Sequence, residues 1–115
     1  MTTYPHHMNA TEKAICNKLL AAIIATEGLF MRVYDGEEWA TEWTRDLDLI
    51  RPEIAATEET RIYLMDVDAN GAATRLGSIL LIHGNDEDVI SDSSWNPKAP
   101  GAEHLVDRLC AAANA

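Results

Sequence analysis

The sequence predicts an α+β fold: a mainly antiparallel sheet of four to five strands covered by N- and C-terminal helices, in the order α-β-β-α-β-β-(β)-α. Three observations lead there. Near both ends of the chain, apolar residues recur every three to four positions, the period of a helix buried along one side. Between residues 29 and 83 they alternate or run continuously, as in strands. Asp35-Gly36 and Asn70-Gly71 punctuate those runs, and such pairs tolerate the positive φ that tight antiparallel turns need. Strands joined by short turns pair antiparallel, and their apolar face then requires a layer of helix. A chain of 115 residues is long enough for one such core, so 1–115 reads as a single domain with a flexible arm at 1–8.

The first helix is expected over NATEKAICNKLLAAIIATEG. Asn9 can cap it, Glu12 completes a capping box and Gly28 suits the exit. Ile15, Leu19, Ala22 and Ile23 form its apolar stripe, with Cys16 and Leu20 beside them. A hairpin follows: Met31 and Val33 alternate with Phe30, Arg32 and Tyr34, and beyond the turn Trp39, Thr41 and Trp43 alternate with Glu38, Ala40 and Glu42. The shared face of Trp39 and Trp43 reads as core packing. Leu47, Ile50 and Ile54 suggest a short helix with Asp46 and Asp48 at its favourable end, although Pro52 must lie in its first turns or kink it. RIYLMDV and LGSILLIH form a second strand pair, the latter apolar on both faces like a central strand. DVISD is a short edge-strand candidate. A proline-rich link containing Trp95 leads to a last helix that buries Leu105, Val106, Leu109 and Cys110.

Charge narrows the function classes. The net charge is −10, and residues 35–92 hold 15 acids against four arginines, so that segment alone carries −11. Binding to a phosphate backbone depends on Lys and Arg displacing counterions, so direct nucleic-acid binding is not expected. No apolar run approaches the roughly 20 residues of a membrane span, and no basic start precedes an apolar stretch, so the expectation is a cytoplasmic protein without a membrane partner. Cys16 and Cys110 fit two buried thiols better than a disulfide.

Candidate chemistry is sparse. Asp66, Asp68, Asn70 and Gly71 open DVDANGAATRLG as a calcium loop opens, but its twelfth position is Gly77 and its flanks are strand-like, so the stretch reads as a hairpin turn. His6-His7 is short of metal ligands. His83 with Ser91, Asp92, Ser93 and Ser94 has the residue types of a hydrolase without its nucleophile elbow, and Cys16 with His104 looks structural. Neither Glu37 with Glu38 nor the acids at 86–88 need be more than solvated turns, and no phosphate-binding glycine loop or CxxC is present. No catalytic residue, metal or cofactor is therefore assigned, and an enzyme is not expected.

VYDGEEWATEWTRD, ATEETRIYLMD and LGSILLIHGNDEDVISDSSWNP, in that order, resemble a pattern in small proteins encoded on bacterial plasmids and prophages. The resemblance spans about residues 33–97 and departs from the pattern at Ser78, where a bulky aromatic is usual. It implies a mobile-element accessory protein and no particular reaction. Joined to the acidic middle segment, it leads to the expectation of a non-enzymatic inhibitor, anti-CRISPR-like, that contacts a basic surface of a host nucleic-acid-binding complex and can mimic nucleic acid. The partner-binding candidates are Asp35, Glu37, Glu38, Glu42, Asp66, Asp68, Asp86, Glu87, Asp88 and Trp95. The alternative is a small ligand- or divalent-metal-binding module; a homodimer through the DVISD edge is compatible with either.

Overall fold

A computed structural model describes residues 8–54, 59–84 and 86–115. His6 and His7 lie outside them, as do Asn85 of the expected GNDE turn and residues 55–58 after the short helix. Helix α1 (Ala10–Ala25) leads to strand β1 (Leu29–Tyr34), a short helix α2 (Leu47–Ile50), strands β2 (Glu59–Val67), β3 (Ala73–Ile82) and β4 (Ile90–Trp95), and helix α3 (Ala102–Ala113). The four strands form one antiparallel sheet in the order β1-β2-β3-β4, so each strand pairs with its neighbours in sequence. The α+β architecture with a helix at either end follows the sequence expectation.

Helix α1 starts where the capping residues predict. Asn9 accepts from the Glu12 N–H at 2.8 Å, and Glu12 accepts from the Asn9 N–H at 3.2 Å. Glu12 is buried, and its second carboxylate oxygen accepts from the Gly84 N–H at 2.7 Å, joining the start of the helix to the β3–β4 turn. At the other end no base lies in the last turn of the helix; Arg45 arrives instead from the segment after β1. Its guanidinium donates to the carbonyls of Ile24 and Leu29 at 2.6 Å and of Thr26 at 2.9 Å. A cation is thereby placed at the negative end of the helix dipole.

Two elements depart from expectation. The second arm of the first hairpin is not a regular strand: residues 39–44 touch β1 through two isolated bridges, Tyr34 with Trp39 and Met31 with Thr44. Four residues lie between the bridges on that arm against two on β1, so the ladder cannot close. Thr41 fills the gap with its side chain, its hydroxyl accepting from the Val33 N–H at 2.9 Å. In the second case Asp46 caps α2 by accepting from the Asp48 N–H at 2.9 Å, but the helix lasts four residues before a 3-10 turn over Arg51–Glu53. Pro52 has no N–H to continue an α ladder.

One sheet face lies under α1 and α3 and forms the core with them. Leu29, Met31 and Val33 of β1, Ile62 and Leu64 of β2, and Ile79 and Leu81 of β3 are buried against Leu19, Leu20 and Ile23 of α1 and Val106 and Leu109 of α3. Met8, assigned from sequence to the flexible arm, is 3% exposed and belongs to this core. Strand β3 is interior, between β2 and β4, as its apolar run predicts, but its Ser78 and Leu80 side lies on the face that no helix covers. Cys16 and Cys110 are free thiols, and burial pushes the Cys16 thiol up from 9.0 to about 12. A raised thiol pKa favours folding below the unfolded value of 9.0, and that contribution declines as pH rises towards 12. Alkylation in mildly alkaline buffer should therefore leave Cys16 unmodified in the native protein and modify both cysteines in concentrated guanidinium, as intact mass would read. Native labelling of Cys16 at the rate of a free thiol would contradict its burial.

Candidate functional site

The turn chemistry explains two of the acids proposed from sequence. Asp35 begins the turn after β1, where its carboxylate accepts from the N–H groups of Glu37 and Glu38, both at 2.9 Å. Those bonds hold the Asp35 carboxyl below its ordinary pKa. Asp68 does the same in the β2–β3 turn, accepting at 2.9 Å from the N–H groups of Asn70 and Ala72, while Gly71 takes a φ of 81°. The residues that open like a calcium loop thus close a hairpin, and Gly77, at the twelfth position, lies inside β3.

The meander sorts the acids into two groups. Asp35, Glu37 and Glu38 follow β1, Glu59 begins β2, and Asp86, Glu87 and Asp88 join β3 to β4, so all seven lie at one end of the sheet. Asp66 and Asp68 lie at the other end, and β4 finishes short of it at Trp95, level with Gly77 and Leu64. From Arg61 to Asp68 the rise along β2 is about 23 Å, at the usual 3.3 Å per residue. The two groups are therefore separate surfaces. Glu42 stands apart from both, its exposed carboxylate 3.5 Å from the Arg32 guanidinium.

Between the ends lies the sheet face away from the helices, and pairing register orders it into rows. Phe30, Met65 and Arg75 form one row; Arg32, Tyr63, Ser78 and Ser94 the next; Tyr34, Arg61, Leu80 and Asp92 the third. Trp39 reaches this face through its bridge to Tyr34. It packs edge-on at 5.3 Å from Tyr34 and 4.9 Å from Tyr63, with the Arg32 guanidinium 4.2 Å over its ring. At 37% exposure it is not the core residue that the alternation suggested. The irregular arm carrying it turns the ring onto the open face. The Arg75 guanidinium lies 5.5 Å over the Tyr63 ring. Such contacts contribute about 0.5–1 kcal/mol each at exposed sites and hold the side chains in place.

Beside this array Arg61 donates to the Ser78 hydroxyl at 3.1 Å, and the Ser78 and Ser94 hydroxyls lie 2.9 Å apart. A cleft of about 180 Å³ opens there, lined by Tyr63, Arg75, Gly77, Ser78, Ser94, Trp95 and Asn96. Trp95 lies at the end of β4 rather than in a loop and is 40% exposed. Of the serines proposed as nucleophiles, Ser91 donates to the Asp88 and Val89 carbonyls and Ser94 is engaged with Ser78. His83 is buried just past β3, and His104 lies on the exposed side of α3. Trp39 was expected in the core, and apart from Trp95 none of the basic and aromatic residues around the open face and its cleft was proposed as a site residue from sequence. Their signal was present in the period of two: Arg32 alternates with Met31 and Val33, and Arg61 and Tyr63 alternate with Ile62 and Leu64.

Fold and site together define a two-layer α+β domain with helices on one sheet face and an arginine-aromatic array on the other. Comparison of the chain with family models, curated proteins and solved structures gives no match. No helix among the described residues is long and apolar enough to cross a membrane.

Proposed function

We propose that this is a non-enzymatic interaction protein of a mobile genetic element, which inhibits a host nucleic-acid-binding complex by protein-protein contact. The observation that carries the reading is the concentration of seven acids at one end of the sheet, in a chain of net charge −10. Such a surface suits a basic groove and speeds encounter with it. Asp35 contributes its charge from a rigid turn, and Glu37, Glu38, Asp86, Glu87 and Asp88 are exposed beside it. Trp39, held between two tyrosines and an arginine, has the composition of an interface anchor. Asp66 and Asp68, at the opposite end, and Trp95, beside the cleft between the ends, lie outside this surface.

The test uses purified bacterial DNA- and RNA-binding effector complexes with the protein immobilised. Binding to one of them should weaken steeply with salt, compete with that complex's own nucleic acid, and fall at least tenfold when Asp86, Glu87 and Asp88 are changed together to lysine. If no complex binds in a salt-sensitive, nucleic-acid-competitive way, the reading is wrong.

A further inference from the structure

We infer that the cleft beside Tyr63 is a binding site for a compact tetrahedral oxyanion, a phosphate or sulfate group. The inference rests on donor accounting and is independent of the partner reading above. Ser78, 3% exposed, accepts from Arg61 and shares one hydrogen bond with Ser94. Whichever serine donates in that bond, the other keeps a hydroxyl proton with no acceptor in the pair. The Arg75 guanidinium lies over Tyr63 and makes no hydrogen bond among the described residues, so its N–H fork is available as well. Asn96 adds no acceptor: its amide NH₂ donates to the Arg75 carbonyl at 2.9 Å, and its oxygen accepts from the Lys98 N–H at 3.0 Å. The cleft therefore has surplus donors.

Register gives the donors a shape. Ser78 and Ser94 occupy one row beside Tyr63, with Arg75 in the row on one side and Arg61 in the row on the other. One guanidinium, that of Arg75, thus meets two hydroxyls around a floor where Gly77 has no side chain, and Arg61 holds the Ser78 hydroxyl from the row behind. A guanidinium at the side and hydroxyls below it suit the several oxygens of a tetrahedral anion. Size limits the ligand. Asp92 lies in the Arg61 row with its carboxylate bonded to the Ser93 N–H at 2.8 Å, and acidic turns close both ends of the sheet. An extended polyanion crossing a face about 20 Å long would meet them, whereas a single oxyanion group would not.

Titration with inorganic phosphate, sulfate and phenyl phosphate, each against sodium chloride at matched ionic strength, tests the site by calorimetry and by amide chemical shifts. Phosphate or sulfate should bind saturably and move the Ser78 and Ser94 amides, and Arg75→Gln and Ser94→Ala should each weaken binding at least tenfold. Both changes fall at exposed positions, and unchanged melting of the variants would show that the fold is kept. Tighter binding of phenyl phosphate would identify an esterified phosphoryl group as the source, and equal binding the free anion. The proposal is overturned by an equal response to chloride, by variants that bind like the parent, or by a single-stranded oligonucleotide that binds more tightly than any of the small anions.

Discussion

Gly77→Ala should lower stability by about 3 kcal/mol, the upper part of the range for forcing atoms into a packed site, and the melting temperature by about 12 °C. A Cβ at this position would collide with the Ser94 carbonyl oxygen and come within 2.9 Å of the Trp95 Cα. Both obstacles are backbone, so no side-chain rotation relieves them, and β4 must move away from β3. The same position faces Leu64 on the other side, next to the irregularity where Met65 pairs with Arg75 and Leu76 is left over. Gly77 therefore allows a bulge on one side of β3 and close approach on the other. Gly71→Ala is the control. Its φ is 81° and nothing lies within 4 Å of the added atom, so only backbone conformation opposes the change, by about 1 kcal/mol. Equal melting temperatures for the two variants would show that the β3–β4 contact yields easily.

Arg45→Ala should cost about 2 kcal/mol, with a fall in melting temperature of about 8 °C, because its partners are charge-assisted hydrogen bonds at a helix terminus. One guanidinium joins Ile24, Thr26 and Leu29, closing α1, the turn after it and the first residue of β1 as a unit. Its removal frees three carbonyls, which water rehydrates in part. Arg45→Lys keeps the charge near the helix end but not the planar fork, so it should recover less than half of the loss. High salt should weaken the parent more than the alanine variant, since the dipole contribution is screened. Thermal unfolding of the three proteins at low and high salt measures both effects; a loss in Arg45→Ala under about 0.5 kcal/mol, the size of an ordinary surface change, would remove the argument.

Much of the local structure could be read in the residues. Asn9 and Glu12 specify the start of α1 because a capping box needs only four residues of chain. Asp68 to Gly71 specify a turn because side chain and main chain close it locally. The tandem apolarity of β3 pointed to an interior strand, and β3 does lie between β2 and β4, although only one of its faces is covered by helices. Trp39 could not be read in the same way. Its alternation with neighbours implied a buried strand face, but the arm has two residues too many for a ladder with β1, and that mismatch depends on where Thr44 meets Met31.

By itself the sequence determined the fold class, the helix caps, the turns and the acidity, all of which follow from interactions within a few residues or from composition. Tertiary structure decided which of those residues meet. It divided the acids between the two ends of the sheet, brought Arg45 to a helix about 20 residues earlier in the chain, and set Ser78, Ser94 and Arg75 around one cleft with Arg61 bonded to Ser78. The physical reason is register. A shift of one residue in strand pairing exchanges the two faces of a sheet, and register is set by the bulges and close backbone contacts of the assembled strands.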